Sequence, residues 1–316
     1  MAGIVYGIPY SPPAPPVKAF TGVALTWTGW DGSMWDLTDP SAGVFLRNES
    51  VEGLGAPEWQ IWTKTSPAVS GQHYRGSVVQ ARRVFWPLFI YHDDSSMDWV
   101  RRDQALWRTM DPDKPGIWKA TLPDGSSREL SCRFESVQDD GYSIDPVRQG
   151  WAVYGIALTA DKPFWLGKTI SRTWQNRVPK DFFNAPGKAT PYNISSGSTM
   201  ASASIPNTGD EPAWPVWVIA GPSTVASVGV GDTAVPVPFT IPEGKAILLD
   251  TDPTEQIALY GDWDGETLRN PVDRTIDLGS ASFAPIPAGQ SVPLNISMTG
   301  AGSIRAEIRP RYRRAW

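Results

Sequence analysis

Any chemistry in this chain rests on very few side chains. Two histidines, His73 and His92, and one cysteine, Cys132, are its whole stock of imidazole and thiol. A Cys/His zinc site needs more ligands than these supply without carboxylate help. No Gly-x-Ser-x-Gly elbow marks a serine nucleophile. His73 stands in a polar Ser-Gly-Gln-His-Tyr-Arg stretch and reads as a loop residue, and His92 precedes Asp93-Asp94 and reads as a surface or capping residue. Cys132 alternates with Leu130 and Phe134, so on a strand all three share a face. That makes Cys132 a small buried apolar side chain rather than a nucleophile.

The carboxylates come in adjacent pairs, Asp93/Asp94 and Asp139/Asp140. Glycosidase chemistry needs two carboxyl groups across a cleft, whereas neighbours on a strand point to opposite faces. Asp262-Trp263-Asp264-Gly265-Glu266 faintly resembles a calcium loop but lacks the third oxygen position and the distant bidentate Glu, so it reads as a hairpin turn. Gly53-Leu54-Gly55-Ala56-Pro57 is a glycine-rich loop, but no Lys-Ser/Thr follows and no helix opens there to cradle a phosphate. Arg305, Arg309, Arg311, Arg313 and Arg314 make the tail basic, which reads as a solvated strand edge, with a contact to an acidic partner or DNA as the alternative. No catalytic, cofactor-binding or metal-binding residue is assigned, and no cofactor is expected.

The elements that would position these residues are mostly strands. Leu25 and Trp27 lead through Trp30-Asp31-Gly32-Ser33 to Met34-Trp35, a strand, an Asp-Gly turn and a strand, and Gly43–Leu46 is another strand. Val78–Tyr91 reads as one or two strands broken near Pro87. A helix is expected from Ser95 or Ser96 to Asp111-Pro112, with Asp98 in its first turn and Trp99, Val100, Leu106, Trp107 and Met110 on its core side. Gly116–Leu122 and Arg128–Phe134 form a hairpin around Pro123-Asp124-Gly125-Ser126, and Gly150–Leu158 alternates as a strand. Val216–Ala220, bracketed by Pro215 and Gly221-Pro222, is too short for a helix and reads as a strand buried on both faces. Further strands and the turns between them are expected at Val225–Val230, Val235–Ile241, Ala246–Pro253, Gln256–Tyr260 and Ser291–Ile296. In the last strand Ile304, Ala306 and Ile308 alternate with charges.

Composition agrees with a mainly β protein. Gly (29) and Pro (30) together approach a fifth of 316 residues without a collagen period, which keeps elements short. The length fits about two domains. Three segments are expected: a Pro-rich arm at 1–18, a β domain at 19–167 and a second β domain at 168–316. The arm, around Pro12-Pro13-Ala14-Pro15-Pro16, is either a loose terminus or lies on a neighbouring subunit. Residues 168–205 lose periodicity, and Ser195–Ser204 is small and polar like a linker. A net charge of −5 points to neither nucleic acid nor a membrane surface. A lone cysteine forms no internal disulfide, and the N-terminus lacks the signs of a signal peptide, so the sequons at Asn48, Asn193 and Asn295 read as chance. The 16 tryptophans fit a core, an interface or a sugar platform.

The order of several motifs resembles the distal tail proteins of long-tailed bacteriophages of the siphovirus type, in particular minor tail proteins of phages of actinobacterial hosts. The motifs are Trp30-Asp31-Gly32-Ser33 with Trp35-Asp36-Leu37; Gly53-Leu54-Gly55-Ala56-Pro57; Ala160-Asp161-Lys162-Pro163-Phe164-Trp165; Asn207-Thr208-Gly209-Asp210-Glu211-Pro212-Ala213-Trp214-Pro215 with the strand into Gly221-Pro222; Ile247-Leu248-Leu249-Asp250; and Pro285-Ile286-Pro287-Ala288-Gly289. The resemblance implies an N-terminal β-rich domain with one α-helix, then a galectin-like antiparallel β-sandwich. It implies a homo-hexameric ring between the tail tube protein and the tip or tail-associated protein, with the tape measure protein as a further neighbour. That places the chain at the virion tail tip after assembly in the host cytoplasm, with no catalytic site. The competing reading is a carbohydrate-binding adhesin that recognises the host surface. No inserted sugar-binding module is visible.

Overall fold

The computed structural model describes residues 22–48, 50–138, 144–176 and 200–316. The Pro-rich arm, Asp139-Asp140, Asn193 and the first half of the Ser-rich stretch lie outside these. The chain is mainly β. Its first part runs β1 (Ala24–Thr28), β2 (Met34–Asp36), β3 (Val44–Leu46), β4 (Trp59–Ser66), β5 (Val69–Val79), β6 (Arg82–Tyr91), α1 (Ser96–Arg108), β7 (Gly116–Thr121), β8 (Ser127–Gln138), the short α2 (Pro146–Gln149), β9 (Trp151–Ala160) and β10 (Trp165–Leu166). The rest runs β11 (Ile170–Gln175), β12 (Ser204–Pro206), β13 (Val216–Ala220), β14 (Val225–Val228), β15 (Val235–Val237), β16 (Lys245–Asp250), β17 (Ile257–Trp263), β18 (Leu268–Asp273), β19 (Ser291–Pro293), β20 (Ser297–Thr299), β21 (Ser303–Ile308) and β22 (Arg311–Tyr312).

The first sheet has the order β2-β1-β7-β8-β9-β6-β3, with β10 and β22 joined at the side. Its two edges are linked, because the Leu46 N–H donates to the Leu37 carbonyl at 2.8 Å. Local chemistry makes the turns: Asp31 accepts from the Ser33 N–H and hydroxyl, and Gly32 takes φ +82°. Ser95 caps α1 by accepting from the Asp98 N–H, and Asp98 suits the positive end of the helix dipole. Trp99 and Leu106 of α1 press on the inward face of the sheet. There the indoles of Trp27, Trp86, Trp118 and Trp165 follow one another at centroid spacings of 5.2, 5.4 and 5.1 Å. The Trp27 Nε1 donates to Thr109 Oγ1 at 2.9 Å and so ties the end of α1 to β1.

That packing leaves no room beside Trp27. A Cβ on Gly116 would lie 2.3 Å from the Trp27 ring and 2.7 Å from the Thr28 carbonyl. Neither neighbour can swing away, since one ring is buried and the other atom is backbone. Gly116→Ala is therefore expected to destabilise by about 2–3 kcal/mol, the usual scale of overpacking. The urea midpoint followed by tryptophan fluorescence checks it. A shift within error would mean that β1 and β7 are looser than their ladder implies.

The second core lies between three sheets. One is six-stranded, in the order β11-β21-β13-β16-β17-β18; a three-stranded sheet (β15-β14-β20) and a two-stranded pair (β12-β19) contribute to the same core. Trp217 and Ile219 of β13, Ile247 and Leu249 of β16, and Ile304, Ala306 and Ile308 of β21 face Ala226, Val228, Val235 and Val237 across it. As the alternation in its sequence predicts, β21 buries every second residue. β13 sits between β21 and β16, and its other face buries Val218 and Ala220.

Three sequence expectations change. β6 runs unbroken through Pro87. The Pro87 carbonyl accepts from the Arg47 N–H, so the proline nitrogen faces the side where the short β3 has ended and no ladder bond is missing. The linker expected over Ser195–Ser204 gives way to β12 at Ser204, while β11 follows soon after Gly167 at the edge of the six-stranded sheet. Strands stop short of their expected ends: β14 at Val228, β15 at Val237 and β19 at Pro293.

Candidate assembly surfaces

The residues considered for catalysis are dispersed. His73 lies in β5 rather than a loop, exposed and opposite Lys64. His92 Nδ1 accepts from the Asp94 N–H at 3.2 Å in the turn ahead of α1. Cys132 is buried, and burial pushes its thiol far above the ordinary range. Asp264 spends its carboxylate on the Glu266 and Thr267 N–H groups, and Gly265 takes φ +105°, so this segment is the β17–β18 hairpin turn. A cleft of about 510 Å³ is lined by Phe164, Trp214, Asp250, Asp252, Glu255, Arg309 and Arg311 among others. Its carboxylates are engaged: Asp252 by Arg311, Glu255 by Lys162 at 3.6 Å, and Asp250 by the Asp252 N–H at 2.9 Å.

The glycine-rich loop has the opposite polarity to a phosphate cradle, because it presents carbonyls to a cation. Arg82, 2% exposed, donates Nε to the Pro163 carbonyl (2.6 Å), one terminal nitrogen to the carbonyls of Gly53 (2.8 Å) and Gly55 (2.5 Å), and the other to Arg313 (2.8 Å). Burial lowers its pKa to about 10, so it remains a cation at neutral pH. The planar fork of arginine suits this role, with donors diverging to three segments of chain.

Through Arg82 the basic tail returns to the first sheet. β22 pairs with β10, the Ala315 N–H donates to the Leu54 carbonyl at 2.9 Å, and Ala315 is fully buried. The arginines expected at a solvated edge are engaged along the way. Arg309 pairs with Glu129 (2.9 Å), Arg311 with Asp252, and Arg313 with Glu211 (2.6 Å), while Arg313 also lies over the Trp59 ring. Partial burial of Asp252 opposes ionisation, but hydrogen bonds from Thr254 and the Arg311 charge outweigh it and hold the carboxyl below its ordinary value. A depressed carboxylate contributes stability above the unfolded value of about 3.9 and loses it as pH falls through the folded one. Asp252→Asn is thus expected to lower the urea midpoint at pH 7, with the difference shrinking below about pH 3.9. A difference that persists undiminished in acid would exclude the ion pair as its cause.

Among the described residues, the apolar surfaces left uncovered are elsewhere. β4 and β5 form a two-stranded sheet of their own. Every residue of β4 is exposed, yet the hairpin carries Trp59, Ile61, Trp62, Tyr74 and Val78. Cross-strand pairing sorts them. Trp59/Val79, Ile61/Ser77 and Thr63/Tyr74 share one face, and the Tyr74 hydroxyl meets Ser77 Oγ at 2.7 Å there. The second surface is the outward face of β3, β6 and β9. Phe89 stacks on Trp151 (5.8 Å, 17°) and contacts Phe45 (5.2 Å) and Tyr91 (6.0 Å), with Phe85 and Val153 alongside. Trp151 and Val153 are each 41% exposed. No helix among the described residues is long and apolar enough to cross a membrane.

This architecture is similar to that of solved phage hub and baseplate chains. The Dit protein of phage SPP1, gp 19.1, a hub adsorption apparatus component of Gram-positive-infecting phages, superposes with a TM-score of 0.61. The match covers 92% of this chain and 99% of that one at 15% identity. A chain of the phage P2 baseplate, in the activated conformation with calcium, gives 0.53 over 91% and 98% at 14% identity, and the same baseplate with strontium gives equal values. At such identity the likeness defines the fold. No protein-family model and no curated protein matches the chain.

Proposed function

We propose that this chain is a distal tail protein, the hub of a long-tailed phage's tail tip, and not an enzyme. The observation that carries the reading is the match to tail-hub and baseplate chains over more than nine-tenths of both partners. In this reading residues 19–167 form the ring domain and 168–316 a galectin-like sandwich that points outward. Six copies close a ring that joins the tail tube to the tip proteins, beside the tape measure protein, after assembly in the host cytoplasm. The unpartnered β4–β5 hairpin supports it, since a two-stranded sheet is marginal alone in water and gains its order from what it docks on. Adhesin chemistry is less well supported. Four of the five exposed tryptophans among the described residues have a ring contact: Trp30, Trp59 and Trp316 carry Lys114, Arg313 and Arg314 over their rings, and Trp151 carries Phe89; Trp62 is the fifth.

Gold-labelled antibody raised against the chain tests the location on intact particles of the phage that encodes it. Label confined to the far end of the tail is the expected result. Label along the tail shaft, on the capsid or on no particle would overturn the reading.

A further inference from the structure

A cleft of about 530 Å³ lies between the β7–β8 hairpin, the link from β10 to β11 and the returning tail. Its charged lining is Lys119, Arg128, Glu129, Lys168 and Arg309, so four cations face one carboxylate in a chain whose net charge is −5. Glu129 is already spent on two of them, Arg309 at 2.9 Å and Lys119 at 3.8 Å. Arg128 and Lys168 pair with no carboxylate among the described residues. Arg128 instead lies over the Tyr312 ring at 3.7 Å, and its Nη1 donates to the Arg314 carbonyl at 2.8 Å. Lys168 is exposed. The hydroxyls of Tyr312 and Thr208, 2.9 Å apart, line the same cleft. Flanking charges do not cancel the excess. Asp124 is held by the Ser126 N–H and hydroxyl, Asp210 by the Arg313 N–H and Glu211 by the Arg313 side chain. Against these three carboxylates stand Arg313, Arg314 and Arg172.

We propose that this cleft is an anion site whose ligand is a diphosphate group, alone or carried by a nucleoside. The inference is independent of the hub reading. Stacking on Tyr312 fixes the Arg128 plane, and its Nε and Nη2 make no hydrogen bond within the described chain. An arginine edge of that kind bonds phosphate oxygens directly, and the lysines add point charges beside it. A phosphoryl group brings about −1.5 to −2 of charge at neutral pH and three acceptor oxygens. Two linked phosphoryl groups therefore match several converging cations within one cleft. An extended acidic peptide matches them poorly, because its successive carboxylates point to opposite sides. The volume suits a ligand of this size, since pockets for small molecules span roughly 300–1,000 Å³. Bound there, the diphosphate bridges the β7–β8 hairpin to the segments at Lys168 and Arg309.

Isothermal titration calorimetry of the full chain with sodium pyrophosphate and with ADP, at ionic strength held constant with chloride, tests it. Saturable one-to-one binding of pyrophosphate is expected, weakened at least about tenfold by Lys168→Glu. Lys168 is exposed and unpaired, so this variant is expected to melt with the parent; Lys119→Gln takes its place if it does not fold. Equal affinity for ADP supports a site for the diphosphate group alone, and tighter binding of ADP supports a nucleoside diphosphate. Three results would overturn the proposal and leave the hub reading standing. They are no binding of pyrophosphate at millimolar concentration, undiminished binding in the folded variant, and a hexaglutamate peptide that binds as tightly as pyrophosphate.

Discussion

Replacing residues 60–78 by two glycines is expected to give a folded chain that no longer self-associates, with at least 100-fold weaker assembly. The substitution is geometrically mild. Trp59 pairs with Val79, and the Gln80 N–H donates to the Glu58 carbonyl at 3.0 Å, so the two ends already lie a turn apart. The hairpin contributes no residue to either of the two main cores, so the fold loses little. Its exposed indole, phenol and aliphatic side chains are the types that dominate interfaces, where one well-seated aromatic is worth roughly 2–4 kcal/mol. Two such anchors give the 100-fold figure with margin, at about 1.4 kcal/mol per factor of ten. Sedimentation of the shortened chain against the parent, with circular dichroism as the folding control, reads both effects. Unchanged assembly would move the interface away from the hairpin.

The largest effect on stability is expected at Arg82. Arg82→Met removes a buried donor that serves the carbonyls of Pro163, Gly53, Gly55 and Arg313. Of these, Gly53 keeps a second bond, from Trp165 Nε1 at 3.1 Å. A buried acceptor left without a partner costs about 1–3 kcal/mol, and the methionine fills most of the volume, so the net loss is expected to be about 3–5 kcal/mol. Arg82→Lys should recover only part, because an ammonium group cannot reach three diverging segments with a planar fork. The tail should loosen with it, which trypsin cleavage near Arg313 and Arg314 in the folded variant would register. A loss below about 1 kcal/mol would mean that these carbonyls find other donors and that Arg82 is not the node of the tail.

What could be read beforehand divides by range. The Ser95 cap, the Asp31-Gly32 and Asp124-Gly125 turns and the alternation of β21 are local, and the structure keeps each of them. Val216–Ala220 was legible because its brackets and its burial on both faces are written in consecutive residues. The β4–β5 hairpin was missed because it faces no core and bulges at Trp62/Thr63 and Thr65/Ser66 interrupt its alternation. Trp59-Gln60-Ile61-Trp62 was the available signal, an aromatic and β-branched run ahead of Pro67. The same interruption makes His73 read as a loop residue although it lies in β5. Arg82 was invisible, since three segments far apart in sequence define its surroundings. β12, β20 and β22 are short strands set by their partners rather than by their own pattern.

The most direct measurement is the mass of the assembled parent chain by native mass spectrometry, with negative-stain images of the same sample. The expected result is one closed species at six times 34.6 kDa, seen end-on as a ring with a central opening. A monomer at every concentration, a two-fold dimer or an open filament would contradict a six-copy tail hub.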